Sequence, residues 1–392
     1  MQRMKKVNSA IDNALGITAS QELLLRASIL KTQEAISAWK AFKENVDIDL
    51  IDPASMRMFP LLYRNLIFHK IEDPEMDRFK GVYRQSWYRN QMLFHRMLSV
   101  LNIFHEAGIR TMVLKGAALS LIYYKDRGVR PMADFDVMVG MKDLEPAIGL
   151  LLKAGWEPFE TRPLNSFTQK VRHAHNFRDG KLNQFDLHWH LLPEFCTESS
   201  DNDFWDKSVD LNLDGVSTST LNHTDHLFHV LVHGTGWNRV SSMRWVADAA
   251  VIMSEAGDSI DWQRLSRLAR ERSLSLSLKS SLNYLCGLLN IAVPPSVLRE
   301  IEAIPVLKYE AKAYYSKMNG NRFSGTLPSD FFRYLIYAHP DSNKSFWGRT
   351  VIFPEFLRYY WGNESFWQLP GSMISKMRRR IRFKLNENRA GA

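Results

Sequence analysis

An uninterrupted alternation of polar and apolar residues near the middle of the chain most constrains its fold. It follows an Asp179-Gly180 pair, a strong signal for a hairpin turn, which separates two alternating runs within residues 171–192. Successive side chains of a strand point to opposite faces of a sheet. We therefore expect a strand that buries one face and leaves the other polar. The two predicted faces of the second run are Gln184, Asp186, His188 and His190 against Phe185, Leu187, Trp189 and Leu191.

A strand-helix-strand pattern precedes this hairpin. Residues 109–114 form a short β-rich run, Gly116 interrupts it, and residues 117–125 place several side chains on one helical face. A second strand is expected over 134–140, followed by a second helix over 141–155. Together with the hairpin, this unit indicates a sheet with helices packed beside it.

Helical periodicity dominates on both sides of these strands. We therefore predict an α+β fold, in which a small mixed β-sheet core over 106–195 follows an N-terminal helical region over 1–105. A helical domain is expected over 196–320. Residues 321–392 are predicted to be an irregular, aromatic-rich segment with a basic C-terminal tail, because aromatic residues, Pro and Gly recur there without a clear period.

The composition is that of an ordinary globular protein with sizeable cores. Of the 392 residues, 45% are hydrophobic. Positive charge at the N-terminus is not followed by an apolar segment, and no uninterrupted apolar run reaches the roughly 18 residues needed to span a membrane. The two cysteines, Cys196 and Cys286, indicate neither a disulfide framework nor a cysteine zinc site. We therefore expect no secretion, no transmembrane segment and a reducing, cytoplasmic location.

Positive charge is concentrated in the C-terminal tail. The formal net charge is +9, and residues 371–392 contain seven basic residues against one acid. Such a tail is compatible with contact to a polyanion such as nucleic acid, or to an anionic membrane surface. A solvated tail and a rim that attracts nucleotide phosphates fit equally well, so these alternatives stay open.

Two aspartates are predicted on one face of the second strand. Asp134 and Asp136 are two residues apart, so their carboxylates would repel each other unless a cation lies between them. Mg²⁺ takes hard oxygen ligands from one or two carboxylates together with phosphate oxygens and water, and Mn²⁺ is an alternative. Asp186, on the polar face of the hairpin strand, would add a third carboxylate, so that two metal ions could be held. The alternative is a chance Asp-x-Asp tripeptide at a solvated sheet edge.

Basic residues near the first strand are candidates for phosphate binding. Lys115 ends that strand and Gly116 opens the helix, where free backbone N–H groups and the helix dipole favour an anion. A surface lysine followed by a turn glycine is the alternative. Arg130, four residues before Asp134, could clamp a phosphate bidentately or pair with an acid, and we favour the phosphate.

Together these residues resemble the uncharacterised nucleotidyltransferase family of the polymerase-β-like superfamily. Its pattern is roughly Lys-Gly, a small or apolar helix, Arg, an Asp-x-Asp strand and later an Asp-x-His-Trp strand. The matching positions are Lys115, Gly116, Arg130, Asp134, Asp136, Asp186, His188 and Trp189. With weaker similarity on both sides, the resemblance covers roughly residues 20–255.

The resemblance implies transfer of a nucleoside monophosphate from an NTP donor to an acceptor, with Mg²⁺ and release of pyrophosphate. It implies that Asp134 and Asp136 bind metal, that Asp186 binds metal or activates the nucleophile, and that Lys115 and Arg130 contact phosphates. The core over 106–195 would then be the nucleotidyltransferase domain.

The chain departs from the wider superfamily at one position. Most members begin the motif with Gly-Ser or Gly-Gly, which cradle the triphosphate, whereas this chain has Lys115-Gly116-Ala117-Ala118. The acceptor is not identified, since a small molecule, a peptide, an RNA end or a protein side chain all offer an oxygen nucleophile. Two alternatives are a glycosyltransferase with an Asp-x-Asp motif, which depends less on Asp186, and a catalytically silent nucleotide-binding partner protein.

Several histidines raise other metal sites. Imidazoles two residues apart can share a face, as in His173 with His175 and His188 with His190, but no cysteine or spacing motif supports zinc. His188 is instead expected to orient Asp186 or to touch the acceptor.

The second helical region offers two further candidate groups. Asp225 and His229 are one helical turn apart, with His233 one turn further, which raises a metal-dependent phosphohydrolase. Over a phosphohydrolase we prefer the alternative, a helix that places these polar residues along a cleft or against the sheet. For Trp245 and its neighbours Arg244 and Asp248, a packed tryptophan beside an ion pair is preferred over closure of a cleft around the base or acceptor.

Overall fold

The computed structural model describes residues 17–160, 164–181, 183–194, 196–237, 243–291, 293–318, 330, 331, 334 and 346–378. Within this part of the chain the fold is α+β, as predicted, with one mixed seven-stranded sheet between helical regions. The basic segment after residue 378 lies outside the described residues, so its contact with a polyanion or membrane surface stays a prediction.

Helices with clear start signals precede the sheet. Thr18 and Gln21 form a reciprocal capping box on the first helix, and Asp52 accepts two backbone N–H bonds at a short helix that begins with Pro53. A 3₁₀ turn lies between α2 and α3, at Ile48–Leu50. The helices are α1 (Ala19–Ile29), α2 (Gln33–Asn45), α3 (Pro53–Met56), α4 (Phe59–Phe68) and α5 (Met76–Glu106).

The strands alternate with short helices. They are β1 (Thr111–Leu114), β2 (Asp136–Val139), β3 (Trp156–Pro158), β4 (Ala174–Asp179), β5 (Gln184–His188), β6 (Val209–Leu213) and β7 (Val216–Thr220). Between them lie α6 (Lys115–Leu119), which continues as a π-helical turn (Ser120–Tyr124), α7 (Leu144–Lys153), α8 (Ser166–Val171) and α9 (Asn202–Asp206). The spatial order of the sheet is β3-β4-β5-β2-β1-β7-β6.

Helices again follow the sheet. They are α10 (His223–Trp237), α11 (Met243–Ala256), α12 (Trp262–Glu271), α13 (Ser275–Leu289), α14 (Pro295–Ala303), α15 (Lys308–Met318) and α16 (Phe346–Tyr360), with residues 369–378 also helical. None of the described helices is both long and apolar enough to cross a membrane.

Strand pairing is mixed at the centre of the sheet. β1 runs antiparallel to β2 and parallel to β7, while β2 runs parallel to β5. The predicted hairpin is confirmed as the antiparallel pair β4–β5. Its second strand ends at His188, however, so His190 does not extend the polar face: its Nδ1 lies 2.6 Å from Asp201 Oδ2 instead.

The sheet extends further along the chain than periodicity indicates. β6 and β7 pair at its edge beyond β1, within the range 196–320 that was expected to be helical. Residues 106–195 therefore contain five of the seven strands of the described sheet. A domain boundary placed at 195 would separate β1 from its neighbour β7.

Alternate residues of the central strands pack into two separate apolar cores. Val113 and Val137 face a core that α5 and α7 cover. Met112 and Met138 face a second core, which combines the N-terminal helices with α10–α13. Because Asp136 alternates with Val137, its carboxylate lies on the second face, where the sheet meets α10 and α11.

Candidate active site

Two neighbouring strands bring the candidate ligands together. The parallel register of β2 and β5 places Asp136 opposite Asp186 and Met138 opposite His188. One potential ligand atom from each of Asp136, Asp186 and His188 lies within 4.8 Å of the other two. This spacing is close to the roughly 4 Å that two ligands of one ion can span, since oxygen ligands of Mg²⁺ lie at about 2.0–2.1 Å from the ion. We call these three residues the ligand group.

Hydrogen bonds orient the ligand group. His188 Nε2 lies 3.0 Å from Asp136 Oδ1, and Asn176 on β4 donates from Nδ2 to Asp186 Oδ1 at 2.9 Å. The expectation that His188 orients Asp186 is therefore corrected. Its imidazole reaches across the parallel strand pair to Asp136, while the neighbouring antiparallel strand supplies the partner of Asp186.

Lys115 is the counterion of Asp136. Its Nζ lies 2.5 Å from Asp136 Oδ1 and 3.4 Å from His188 Nε2. Burial opposes both charges, but their mutual attraction outweighs it, so the pKa of Lys115 is raised and the pKa of Asp136 is lowered. Lys115 also has φ +47°, an uncommon left-handed conformation for a residue with a side chain. The ammonium predicted to meet a phosphate thus contacts a carboxylate of the ligand group.

Asp134 lies just before β2 and outside the ligand group. The strand begins at Asp136, so strand periodicity does not place the two carboxylates side by side as expected. The Asp134 side chain is exposed to solvent and lines the same cavity as Asp136. Desolvation by the surrounding protein, together with the charges of Asp136 and Asp186, raises the pKa of Asp134 to about 6. Its role as a metal ligand stays a prediction.

Arg130 is paired with an acid. Its Nε and Nη2 donate to the two carboxylate oxygens of Asp248 on α11, each at 2.8 Å, and both side chains are nearly buried. Tyr124 donates a further hydrogen bond to Asp248 Oδ1 at 2.9 Å. The bidentate edge expected to clamp a phosphate is therefore occupied by Asp248. The remaining Nη1 lies against Gly116, where an added Cβ would be 2.3 Å from it.

A cavity of about 210 Å³ borders the ligand group at Asp136. The sheet side contributes Lys115, Gly116, Asp134 and Asp136. Helices α10 and α11 form the opposite wall with His226, His229, His233, Arg244, Trp245 and Asp248. Trp245 is only 4% exposed and packs against Gly234, and the ion pair preferred for Asp248 is the one to Arg130. This part of α11 thus both packs in the core and lines the cavity.

Two α10 histidines in this wall are neutral. His226 Nε2 lies 3.1 Å from Thr220 Oγ1, whereas the buried His229 Nε2 has no hydrogen-bond partner in the described part of the chain. Burial lowers the pKa of His226 to about 3 and holds that of His229 well below its ordinary value. His229 therefore presents a neutral imidazole to the cavity. Helical spacing in the sequence predicts the face of the helix on which His229 lies, but it does not predict that the side chain lines a cavity.

The other metal sites considered from the sequence do not assemble. Within the residues described, the ligand group is the set of three or more potential metal ligands that comes together, and it has one histidine and no cysteine. Asp225, part of the phosphohydrolase pattern, accepts two hydrogen bonds from Arg264, both at 2.7 Å.

Comparison with known proteins gives one family match. A family model described as "Uncharacterised nucleotidyltransferase" matches residues 54–290, which include all seven described strands and α10–α13. No curated protein matches the chain significantly. Among solved structures, the chain is similar to an antigenic nucleotidyltransferase-like protein from Paracoccidioides brasiliensis. The identity is 14% and the TM-score 0.29, over 49% of this chain and 92% of that chain.

Proposed function

The chain belongs to the uncharacterised nucleotidyltransferase family, and we propose that it is a metal-dependent nucleotidyltransferase. The reaction would transfer a nucleoside monophosphate from an NTP to a hydroxyl or phosphate oxygen of an acceptor. The acceptor oxygen forms a bond to the α-phosphorus, the bond to pyrophosphate breaks, and pyrophosphate leaves with the bonding electrons.

The observation that carries this proposal is the ligand group, whose member Asp136 lines the cavity. Asp136 and Asp186 offer two carboxylates, and His188 holds Asp136 in place. This donor set fits Mg²⁺ through its oxygens and also fits Mn²⁺ if the imidazole takes part. When bound, such an ion would neutralise phosphate charge and lower the pKa of a coordinated oxygen. Asp134, beside the group, is the proposed third acid.

The remaining roles belong to the side chains of the cavity. Lys115 reaches both Asp136 and the cavity, so we assign its ammonium to a donor phosphate once a divalent cation takes over the carboxylate. Asp186 is proposed to bind metal or to activate the nucleophile. For Arg130, Nη1 is the donor left for a phosphate, because Asp248 occupies the other edge.

Substitution of the two carboxylates tests the proposal. Purified protein would be incubated with labelled NTPs, nucleotide sugars and Mg²⁺ or Mn²⁺, with and without cell extract as a source of acceptor. Asp136→Asn and Asp186→Asn should each reduce label transfer and pyrophosphate release by at least about 100-fold, since even an outer partner of a metal ligand contributes 10–100-fold. The matched control is Asp210→Asn, an exposed aspartate on edge strand β6 of the same sheet, which should retain full activity.

The alternatives give different outcomes in the same experiment. A glycosyltransferase would transfer label from a nucleotide sugar and would tolerate Asp186→Asn. A silent nucleotide-binding protein would bind NTP without turnover in any extract. Full activity in both carboxylate variants would show that the ligand group is not the site.

A further inference from the structure

The cations predicted to bind the donor are already matched by carboxylates. Lys115 pairs with Asp136, and Arg130 pairs bidentately with Asp248. A nucleoside triphosphate carries several negative charges, of which a divalent ion neutralises only part. Even with Lys115 released by a metal and one donor of Arg130 left, a further cation along the triphosphate would neutralise more of this charge.

Arg244 is positioned to supply that cation. It lies on α11 one helical turn before Asp248 and lines the cavity beside the ligand group. Its guanidinium makes no hydrogen bond or ion pair with the residues that the structure describes. Burial and the neighbouring Arg130 lower the pKa of Arg244 to about 10, so it remains charged at neutral pH. A half-buried guanidinium without a partner is costly in a folded protein unless a ligand supplies the anion.

A second cavity adjoins the first at Arg130 and Arg244, and its described lining includes no residue of the ligand group. It has a volume of about 150 Å³, lies against α3 and α4, and shares Arg130 and Arg244 with the first cavity as lining residues. Arg57 also lines this second cavity and is exposed. Three guanidiniums thus line this path, while Asp248 pairs with Arg130 alone. The local charge is positive and is suited to an extended anion.

We propose that Arg244, assisted by Arg57, binds the β- and γ-phosphates of the donor nucleoside triphosphate. With the α-phosphate at the ligand group, the pyrophosphate portion extends past Arg244 into the second cavity. The planar guanidinium can donate two parallel hydrogen bonds to phosphate oxygens, which a lysine cannot do. This inference rests on the proposed function and adds the residues that recognise the triphosphate.

Nucleotide binding measured by calorimetry tests the inference. The probes are the four NTPs as non-hydrolysable analogues, the corresponding NMPs, and inorganic pyrophosphate, each with Mg²⁺. Arg244→Ala should weaken NTP and pyrophosphate binding by about 10- to 100-fold, the range of one or two hydrogen bonds to a charged group. NMP binding should be unchanged. Arg244→Lys should recover only part of the loss, and Arg57→Ala should give a smaller loss.

The control is Arg267→Ala, which removes a 49% exposed arginine of α12 that lines neither cavity and should change no affinity. Thermal unfolding without ligand separates binding from folding. Arg244→Ala should melt at the same or a higher temperature than the wild type, because it relieves repulsion with Arg130, yet it should lose the stabilisation that NTP confers.

Each outcome distinguishes this inference from the proposed function. If the wild type binds NTP and Arg244→Ala binds it equally well, the inference fails while the proposed function stands. Equal losses for NTP and NMP would place Arg244 at the nucleoside or α-phosphate and also overturn it. If the wild type binds neither NTP nor pyrophosphate, both proposals fail.

Discussion

At the scale of single residues, the cavity is lined by two carboxyl groups, those of Asp134 and Asp136, whose pKa values are shifted in opposite directions. The ion pair with Lys115 keeps Asp136 ionised against its burial, whereas desolvation by the surrounding protein and the charges of Asp136 and Asp186 raise the pKa of Asp134 to about 6. Such divergence between neighbouring acids is a common property of active sites. An ion bound at the ligand group would favour ionised Asp134, so metal binding should release protons near pH 6.

The pH dependence of stability can be predicted from His226. Its pKa falls from 6.5 to about 3 on folding because the imidazole is buried. The unfolded chain binds a proton below pH 6.5 that the folded chain does not, so this contribution is fully present above that pH and is lost as the pH falls toward 3. Its upper bound is about 5 kcal/mol.

Urea unfolding at about pH 7.5 and about pH 5 measures this effect. His226→Gln, which keeps a hydrogen-bonding group near Thr220, should lose less stability than the wild type between the two conditions. Equal losses in both proteins would contradict the assignment.

At the scale of elements, the tight packing of α6 sets the geometry of the site. Gly116 follows the left-handed Lys115, and a Cβ at Gly116 would lie 2.3 Å from Arg130 Nη1 and 2.9 Å from Met132 Sδ. Arg130 cannot move aside cheaply, since both its Nε and its Nη2 are bound to Asp248. Gly116 is therefore required for close approach of the helix to the arginine, whether or not its N–H binds an anion.

A pair of glycine substitutions tests this requirement. Gly116→Ala should lower the free energy of unfolding by about 1–3 kcal/mol through overpacking and should weaken nucleotide binding. Gly149→Ala, in the middle of α7 with no atom within 4 Å of the added Cβ, should instead raise it by about 0.5–1 kcal/mol. Chemical denaturation of both variants measures the contrast. A stable Gly116→Ala variant with full affinity would show that the neighbours can adjust.

Sequence patterns recover the alternating strands that flank a clear turn and miss strands that are short or are stabilised in other ways. The β4–β5 hairpin follows directly from its pattern and turn. β7 instead places hydroxyls against β1, with Ser219 Oγ donating to Thr111 O and Thr220 Oγ1 to Val113 O, each at 2.8 Å. Edge strand β6 does alternate, with Val209, Leu211 and Leu213 against Asp210 and Asn212, but only over five residues, and the three-residue β3 is too short to show a period.

The same limit applies to the site. Strand periodicity identifies Asp136, Asp186 and His188 as facing residues, but not the cross-strand register that pairs His188 with Asp136. The partner of Arg130 and the exposure of Arg244 to the cavity depend on how α11 packs on the sheet. Such long-range contacts leave no local spacing signal.

At the scale of the whole molecule, one core joins helices that precede the sheet in the chain to helices that follow it. Leu25 of α1, Met138 of the sheet, Phe228 of α10 and Leu282 of α13 belong to the same apolar cluster. The buried pair between Arg130 and Asp248 adds a polar link between the segment before β2 and α11. We therefore expect these parts to unfold together.

Loss of the ion pair between Arg130 and Asp248 should strongly lower the free energy of unfolding. Asp248→Asn leaves the Arg130 charge buried without its counterion and should lower the free energy of unfolding by about 3–5 kcal/mol. The matched control is Glu255→Gln on the same helix, which removes an exposed pair with Lys125 and should lower it by no more than about 1 kcal/mol. Denaturant unfolding followed by both fluorescence and circular dichroism measures these values. Comparable small losses for the two variants would refute a structural role for the buried pair.

The pairing of β1 with β7 has a consequence for synthesis of the chain. Val113 lies opposite Thr220, 107 residues later. At a translation rate of about 5–20 residues per second, β1 remains an open sheet edge for roughly 5–20 s after it is made. During that interval its unpaired backbone can pair with another chain. The nascent protein is therefore most vulnerable to aggregation after the Asp-x-Asp strand is complete and before residue 220 leaves the ribosome, which is when a chaperone would be needed.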